Sequence, residues 1–189
     1  DSKTYLHQAA DLSEPEAITT YLMSLKKIPI ADKDNRKKNI LHYACSCNNL
    51  PLIKKLSKRE EIDITETDDD GNNILHIACD SSSAKLEAIK YIISLKKIDI
   101  NAKNKNGNTP ILLLCENSSN LPIIKYMAEL KGIDLSVKNS DEQTILHKGA
   151  DSTELPFLKY LISLDKNDVT ATDKEGKTIL HIACKNGNM

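Results

Sequence analysis

The stretch GNNILHIACD, from Gly71 to Asp80, holds a histidine and a cysteine three residues apart. On a helix, positions i and i+3 share a face, so His76 and Cys79 would offer two ligands to one metal ion. A histidine beside a thiol is also the arrangement of a base and its nucleophile. The rest of the chain decides between these chemistries and a structural pair.

The stretch recurs throughout. It appears as TYLHQAA (Thr4 to Ala10), NILHYAC (Asn39 to Cys45), NILHIAC (Asn73 to Cys79), TPILLLC (Thr109 to Cys115), TILHKGA (Thr144 to Ala150) and TILHIAC (Thr178 to Cys184). Successive starts lie 35, 34, 36, 35 and 34 residues apart. Every histidine (His7, His42, His76, His147, His181) takes one motif position, where the fourth copy has Leu112. Cys45, Cys79, Cys115 and Cys184 share another, filled elsewhere by Ala10 and Ala150. A catalytic residue is normally needed once; a position repeated with tolerated swaps is a building part.

Each motif is followed by an amphipathic segment: EAITTYLMSL, PLIKKLSK, EAIKYIISL, PIIKYMAEL and PFLKYLISL. Ile89, Ile92, Ile93 and Leu95 recur at helical spacing, with Lys90 on the wet side. Pro15, Pro51, Pro122 and Pro156 open four of the segments, where a helix's first N–H groups lack partners anyway. A short extended piece and a polar tip then lead to the next motif, as in IDITETDDDGN and IDINAKNKNGN. Gly71, Gly107 and Gly176 sit in those tips, where a tight turn requires positive φ.

Each unit therefore reads as helix, turn, helix and hairpin-like finger. These residues resemble the ankyrin repeat, whose T-P-L-H-x-A-A pattern opens the first helix and whose G-A-D-V-N-A-x-D-x-x-G forms the finger. The resemblance covers the whole chain and implies an all-α ankyrin-repeat solenoid. It would be one domain over residues 1–189, with repeats near 1–34, 35–68, 69–104, 105–139 and 140–173 and a partial one at 174–189. The motif proline survives only at Pro110, and Gly132 alone approximates the glycine that caps the second helix. From the second-helix lysine position to the finger's base aspartate there are nine steps in every unit (Lys54 to Asp63, Lys90 to Asp99), one more than the family pattern. The ends suggest a segment of a longer chain: it starts without methionine and stops at CKNGNM, where a sixth second helix would begin.

Other chemistries fit poorly. Histidine–cysteine pairs from neighbouring repeats, on helices about 8–10 Å apart, cannot converge on one zinc, whose ligands lie within about 2.3 Å. The resemblance makes the histidine a hydrogen-bonder between repeats, and the small residue three on a packed one. Cys47, in a variable turn, has no adjoining Lys, Arg or His to activate it. ETDDDGN imitates part of a calcium loop, but Ile77 stands where the bidentate glutamate belongs, and a sister finger replaces the acids with Ala102, Asn104 and Asn106. No glycine loop cradles phosphate, and the finger carboxylates sit in solvated turns. No cofactor, metal or catalytic residue is expected, and the chain is read as no enzyme.

Composition narrows the partners. The net charge of −1, with no Trp and a single Phe, argues against a nucleic-acid surface. No apolar run would cross a membrane. Five cysteines without a signal pattern fit a cytoplasmic or other reducing compartment. Repeat stacks present a concave face of fingers and first helices, suited to another protein. The resemblance places partner contacts at Lys33, Asn35, Arg36, Ser46 and Cys47; at Thr67, Asp69, Asp70, Asp80 and Ser81; at Lys103, Lys105, Asn106, Glu116 and Asn117; and at Lys138, Ser140, Asp141, Asp151 and Ser152. Tip charge alternates, basic at Lys33 and Arg36, acidic at Asp68 to Asp70, basic at Lys103 and Lys105, which predicts partner binding that weakens with salt. The function expected is a protein-interaction scaffold, or alternatively the regulatory or targeting arm of a larger enzyme or channel.

Overall fold

The computed structural model describes residues 30–80, 84–151, 154–164 and 168–185. The first motif copy, the segment carrying Pro15, Ser81 and Ser152 lie outside the described residues. Contacts divide the chain into two compact units, Asp1–Asp99 and Ile100–Met189.

The first unit contains α1 (Ile40–Ser46), α2 (Leu50–Leu56), α3 (Ile74–Asp80) and α4 (Leu86–Ser94). Helices of seven to nine residues are marginal alone in water, so packing must hold them. The motif supplies that packing. Its apolar and small positions put Ile40, Leu41, Ala44 and Cys45 of α1 in the core with Ile74, Leu75, Ala78 and Cys79 of α3. The amphipathic segments bury Leu52, Ile53 and Leu56 on α2, and Ala88, Ile89 and Ile92 on α4. Each motif helix packs on its own partner (α1 on α2, α3 on α4), and like stacks on like (α1 on α3, α2 on α4). Burying one such Leu or Ile is worth roughly 1.5–3 kcal/mol.

The second unit contains α5 (Pro110–Leu114), a 3₁₀ turn (Ser118–Asn120), α6 (Leu121–Ala128), α7 (Ile145–Gly149), α8 (Leu155–Ser163) and α9 (Ile179–Lys185). Here α5 and α9 both pack on α7, and α7 on α8. Gly149 takes the place of Ala44 and Ala78, and the chain's single Phe, Phe157, takes that of Leu52 and Ala88. A Cβ on Gly149 would lie 2.2 Å from Leu161 Cδ1 and 3.3 Å from Phe157 Cε1. The loss of one methyl makes room for the larger ring.

Prolines 51, 122 and 156 fall in the first turns of α2, α6 and α8, as the segments predict. The lysine position of these helices is exposed, as expected, but in two of them it also meets an aromatic ring. Lys54 Nζ lies 5.6 Å from the ring centre of Tyr91, and Lys125 Nζ 5.3 Å from that of Tyr160, each one repeat further on. These are cation–π contacts between adjacent second helices.

The fingers contain no strand among the described residues, yet five turns share one design. Asp34, Asp68, Asn104, Asn139 and Asp173 each accept, on Oδ1, the N–H groups two and four residues on, at 2.8–3.0 Å. Their backbone N–H and C=O close the same loop: Asp68 N–H donates to Asn72 O and Gly71 N–H to Asp68 O, both at 3.0 Å. The left-handed corner residue is Gly71, Gly107 or Gly176 in three fingers, but Lys37 (φ 58°) and Glu142 (φ 59°) in the other two. Leading into the tips, Ile133, Leu135, Val137 and Asn139 are buried while Asp134, Ser136, Lys138 and Ser140 are exposed, the alternation of an extended segment on a core.

Candidate functional site

The helix caps show what the histidine of each motif does. Asn73 Oδ1 accepts Leu75 N–H and His76 N–H at 3.0 Å and lies 2.8 Å from His76 Nδ1. Asn39 and His42 repeat the arrangement, and in α7 Thr144 Oγ1 lies 2.9 Å from His147 Nδ1. His147 Nε2 donates to Lys177 O at 3.0 Å, joining one repeat to the next. The ring is thus tied to the helix start rather than to the cysteine. Cys45, Cys79 and Cys115 are buried, and burial pushes their thiols far above the ordinary range, which leaves them unreactive. Half-buried Cys47 has its Sγ 3.9 Å from Ser46 Oγ.

Carboxylates at the finger bases serve the backbone. The Thr65 hydroxyl and N–H hold Asp63 below the usual carboxylate range, and Thr170 does the same for Asp168. At the tip, the N–H of Lys177, and then that of Glu175, lowers Asp173. These are fixed acceptors, and no carboxyl among them is held protonated for acid catalysis.

The alternation along the fingers brings the expected contact residues to the surface. Lys33, Asn35, Arg36, Thr67, Asp70 and Asp80 are exposed in the first unit, with Ser46, Cys47 and Asp69 half-buried. In the second, Lys103, Lys105, Asn106, Glu116, Asn117, Lys138, Ser140, Asp141 and Asp151 are exposed. Several are engaged within the chain. Lys33 pairs with Glu66 at 2.6 Å, Arg36 with Asp70 at 2.7 Å, Lys37 with Asp69 at 2.9 Å and Lys38 with Asp68 at 3.7 Å. The basic and acidic fingers of the first unit therefore face each other, and the charge alternation read as a pattern for a partner is met here by the neighbouring finger. In the second unit Lys148 pairs with Glu116 at 2.8 Å, Lys103 Nζ donates to Lys138 O at 2.9 Å, and Asn117 caps the 3₁₀ turn through Ser119 N–H at 3.0 Å.

Two buried asparagines escaped the sequence reading. Asn48, left-handed at φ 47°, donates from Nδ2 to Ala78 O at 3.2 Å and accepts Lys85 N–H at 3.3 Å, clamping one helix hairpin to the next. Asn120 donates to Leu114 O at 3.1 Å within its own hairpin. The recurring N-L-P before a second helix pairs Asn120 with the N-cap Asn49, whereas Asn48, one place earlier, aligns with Ser119 and carried no repeat signal.

Paired helices stacked like on like, one hydrogen-bonded finger per pair and a cap–histidine motif at every described first helix but α5 define a helical repeat protein. A family model of ankyrin repeats (3 copies) matches residues 6–104, 52–139, 75–173 and 120–189, and the chain belongs to the ankyrin repeat family. The expected all-α ankyrin-repeat fold class holds, and repeats of this family mediate protein–protein interactions. Comparison with curated proteins found no match. Among the described residues no helix is long and apolar enough to cross a membrane.

Proposed function

We propose that the chain is a non-catalytic interaction scaffold that binds a protein partner through its finger tips and first helices, in a reducing intracellular compartment. One observation carries this reading. The turn is rebuilt with the same acceptor and the same N–H donors in five fingers, while the two residues after that acceptor change freely: Asn35-Arg36, Asp69-Asp70, Lys105-Asn106, Ser140-Asp141 and Lys174-Glu175. A fixed frame carrying variable side chains is what recognition of one macromolecule among many requires. A surface chosen for solubility alone would not demand so constant a frame. The free thiols of Cys45, Cys79 and Cys115 agree with reducing conditions.

The test is differential capture. The chain carrying Lys105→Ala, Asn106→Ala, Ser140→Ala and Asp141→Ala is compared with the wild type and with a back-face control, Lys131→Ala plus Lys159→Ala. Circular dichroism of all three should coincide. A protein captured by the wild type and the control but lost from the tip variant supports the reading; identical capture by all three refutes it.

A further inference from the structure

Three finger joints share one backbone bond: Asp69 N–H donates to Arg36 O at 2.9 Å, Ser140 N–H to Asn106 O at 2.9 Å and Lys174 N–H to Asp141 O at 2.8 Å. The two residues at each finger's corner differ: Arg36-Lys37, Asp70-Gly71, Asn106-Gly107, Asp141-Glu142 and Glu175-Gly176. One of these pairs is chemically unstable. Asparagine is a thermolabile residue, and a following glycine, with no side chain to shield its nitrogen, lets that nitrogen close a five-membered ring on the amide carbon. The acidic corners are poorer substrates. Asp70 offers a carboxylate, a weaker electrophile than an amide, and Arg36 holds it at 2.7 Å. Asp141 precedes Glu142, whose side chain shields the nitrogen, and Glu175 has one methylene too many for the ring. A second Asn-Gly pair, Asn186-Gly187, lies outside the described residues.

In the folded finger the target is open and the attacking group is held. Asn106 is exposed, and the turn is built on the Asn104 side chain rather than on its own. Asn106 N–H donates to Asn104 Oδ1 at 3.0 Å, Gly107 N–H donates to Asn104 O at 2.9 Å, and Asn106 O accepts Ser140 N–H. To react, the Gly107 nitrogen must leave Asn104 O and swing towards Asn106 Cγ. The fourth finger restrains that swing. Gly107 stands at φ 71° so close to it that a Cβ would lie 2.6 Å from Ser140 N and 3.0 Å from Asn139 C. At the corresponding Gly176 a Cβ would meet nothing within 4 Å.

We propose that Asn106 is a deamidation site kept latent by the joint between fingers 100–108 and 135–143, and that opening of this joint exposes it to irreversible conversion. The Gly107 nitrogen gives up its proton and bonds to Asn106 Cγ; the Cγ–Nδ2 bond breaks, and ammonia leaves with that proton. Water then opens the succinimide at either carbonyl, giving aspartate or isoaspartate. Isoaspartate routes the main chain through Cβ and lengthens it by one atom, and the former backbone carbonyl becomes a carboxylate. Asn104 O and Ser140 N–H then no longer meet their partners together, so the joint does not close again. The inference concerns the chemistry of one finger tip and stands whether or not the fingers bind a partner.

The experiment follows the full 189-residue chain, folded in buffer and unfolded in guanidinium chloride at the same pH and temperature. Peptide mapping by mass spectrometry counts acid at position 106, and enzymatic methylation counts isoaspartate. Asn106 should convert in guanidinium, and at least about ten-fold more slowly in buffer, the factor that roughly 1.4 kcal/mol of opening free energy imposes. Asn104→Ala removes the side-chain acceptor of two turn N–H groups, so it should speed conversion in buffer and leave the rate in guanidinium unchanged. In converted wild type, separated by its added negative charge, hydrogen exchange at the Ser140 amide should be faster than in the unconverted chain. Equal rates at Asn106 in the two solvents, no conversion in guanidinium, or an unchanged Ser140 amide in the isoaspartate form overturns the proposal. The wild-type measurements decide the matter even if Asn104→Ala folds poorly.

Discussion

Lowering the pH should weaken the chain through one buried imidazole. His42 is 1% exposed, and burial first of all lowers its pKa from 6.5 to about 4. Asp68 and Glu66, on the facing finger, pull the value up, and Lys38 pushes it down, but desolvation dominates. Between pH 6.5 and about 4 the unfolded chain takes up a proton that the native chain refuses, so stability falls as pH falls. The difference between 6.5 and about 4, at ~1.4 kcal/mol per unit, makes the loss about 3 kcal/mol by pH 4, levelling off as the pH falls below the native value. The control is His42→Leu, because Leu112 fills the same motif position in the fourth copy and is fully buried there. Asn39 Oδ1 keeps its two N–H donors in that variant. Urea unfolding of both proteins from pH 7.5 to 4 should give profiles that diverge by about 3 kcal/mol, the wild type losing more. Parallel profiles, or a His42 proton titration with its midpoint near 6.5, would refute the argument.

Three other substitutions read local geometry. Gly149→Ala should destabilise by about 1–3 kcal/mol in thermal or urea unfolding, because its methyl meets Leu161 and Phe157, and Phe157→Leu should recover part of the loss. Glu142→Gly should stabilise by roughly 0.5–1 kcal/mol, since φ 59° is a left-handed corner that three sister fingers fill with glycine; no change in midpoint would count against the shared turn design. Thr109→Val removes a buried hydroxyl that has no partner and caps nothing, so it should raise stability by about 1 kcal/mol; a loss of that size would mean the hydroxyl is bonded.

Local features were legible in the sequence because their causes are local. An N-cap and the residue three positions on meet within one helical turn, so the spacing of Asn39–His42 and Thr144–His147 carries that pair, although the sequence reading assigned the histidine only to the bond between repeats. The small residue after them is buried because first helices stack on one another, and the recurrence of Cys45, Cys79 and Cys115 announces it. The constant step from second helix to finger corresponds to the extended segment whose alternate residues are buried at Ile133, Leu135 and Val137. Contacts between repeats were harder to read. Whether Arg36 meets Asp70 or Asp69 depends on how one repeat is rotated on the next, which no local pattern encodes. The opposite charges of adjacent fingers were visible, yet a partner molecule and a neighbouring finger satisfy them equally well on paper. Lys54 and Lys125 posed the same difficulty: both are exposed, as lysines outside the apolar stripe should be, but their contact with the tyrosine of the next repeat is not written in their own segments.

The departures from the motif carry a further consequence. Among the described residues two buried side-chain atoms lack a hydrogen-bond partner, His42 Nε2 and Thr109 Oγ1, and both belong to the cap–histidine pair. Thr109 Oγ1 is stranded because Leu112 replaces the histidine three positions on; His42 follows an asparagine cap, but so does His76, which is not among the unpartnered atoms. Threonine with histidine, as at Thr144 and His147, satisfies both side chains and leaves a ring proton for the next repeat, whereas Thr109 without a histidine strands its hydroxyl at a cost of about 1–3 kcal/mol. A chain that tolerates two such defects must gain its cohesion at those joints elsewhere. At the first it has four ion pairs; beside Thr109 it has the amide of Asn139, donating to Asn108 at 3.1 Å, and the ammonium of Lys103 on Lys138 O. The backbone bond between fingers is common to all three joints, so the side-chain chemistry of each can change without moving the frame that positions the tips. That independence lets sequences drift far from the T-P-L-H pattern while the fold persists.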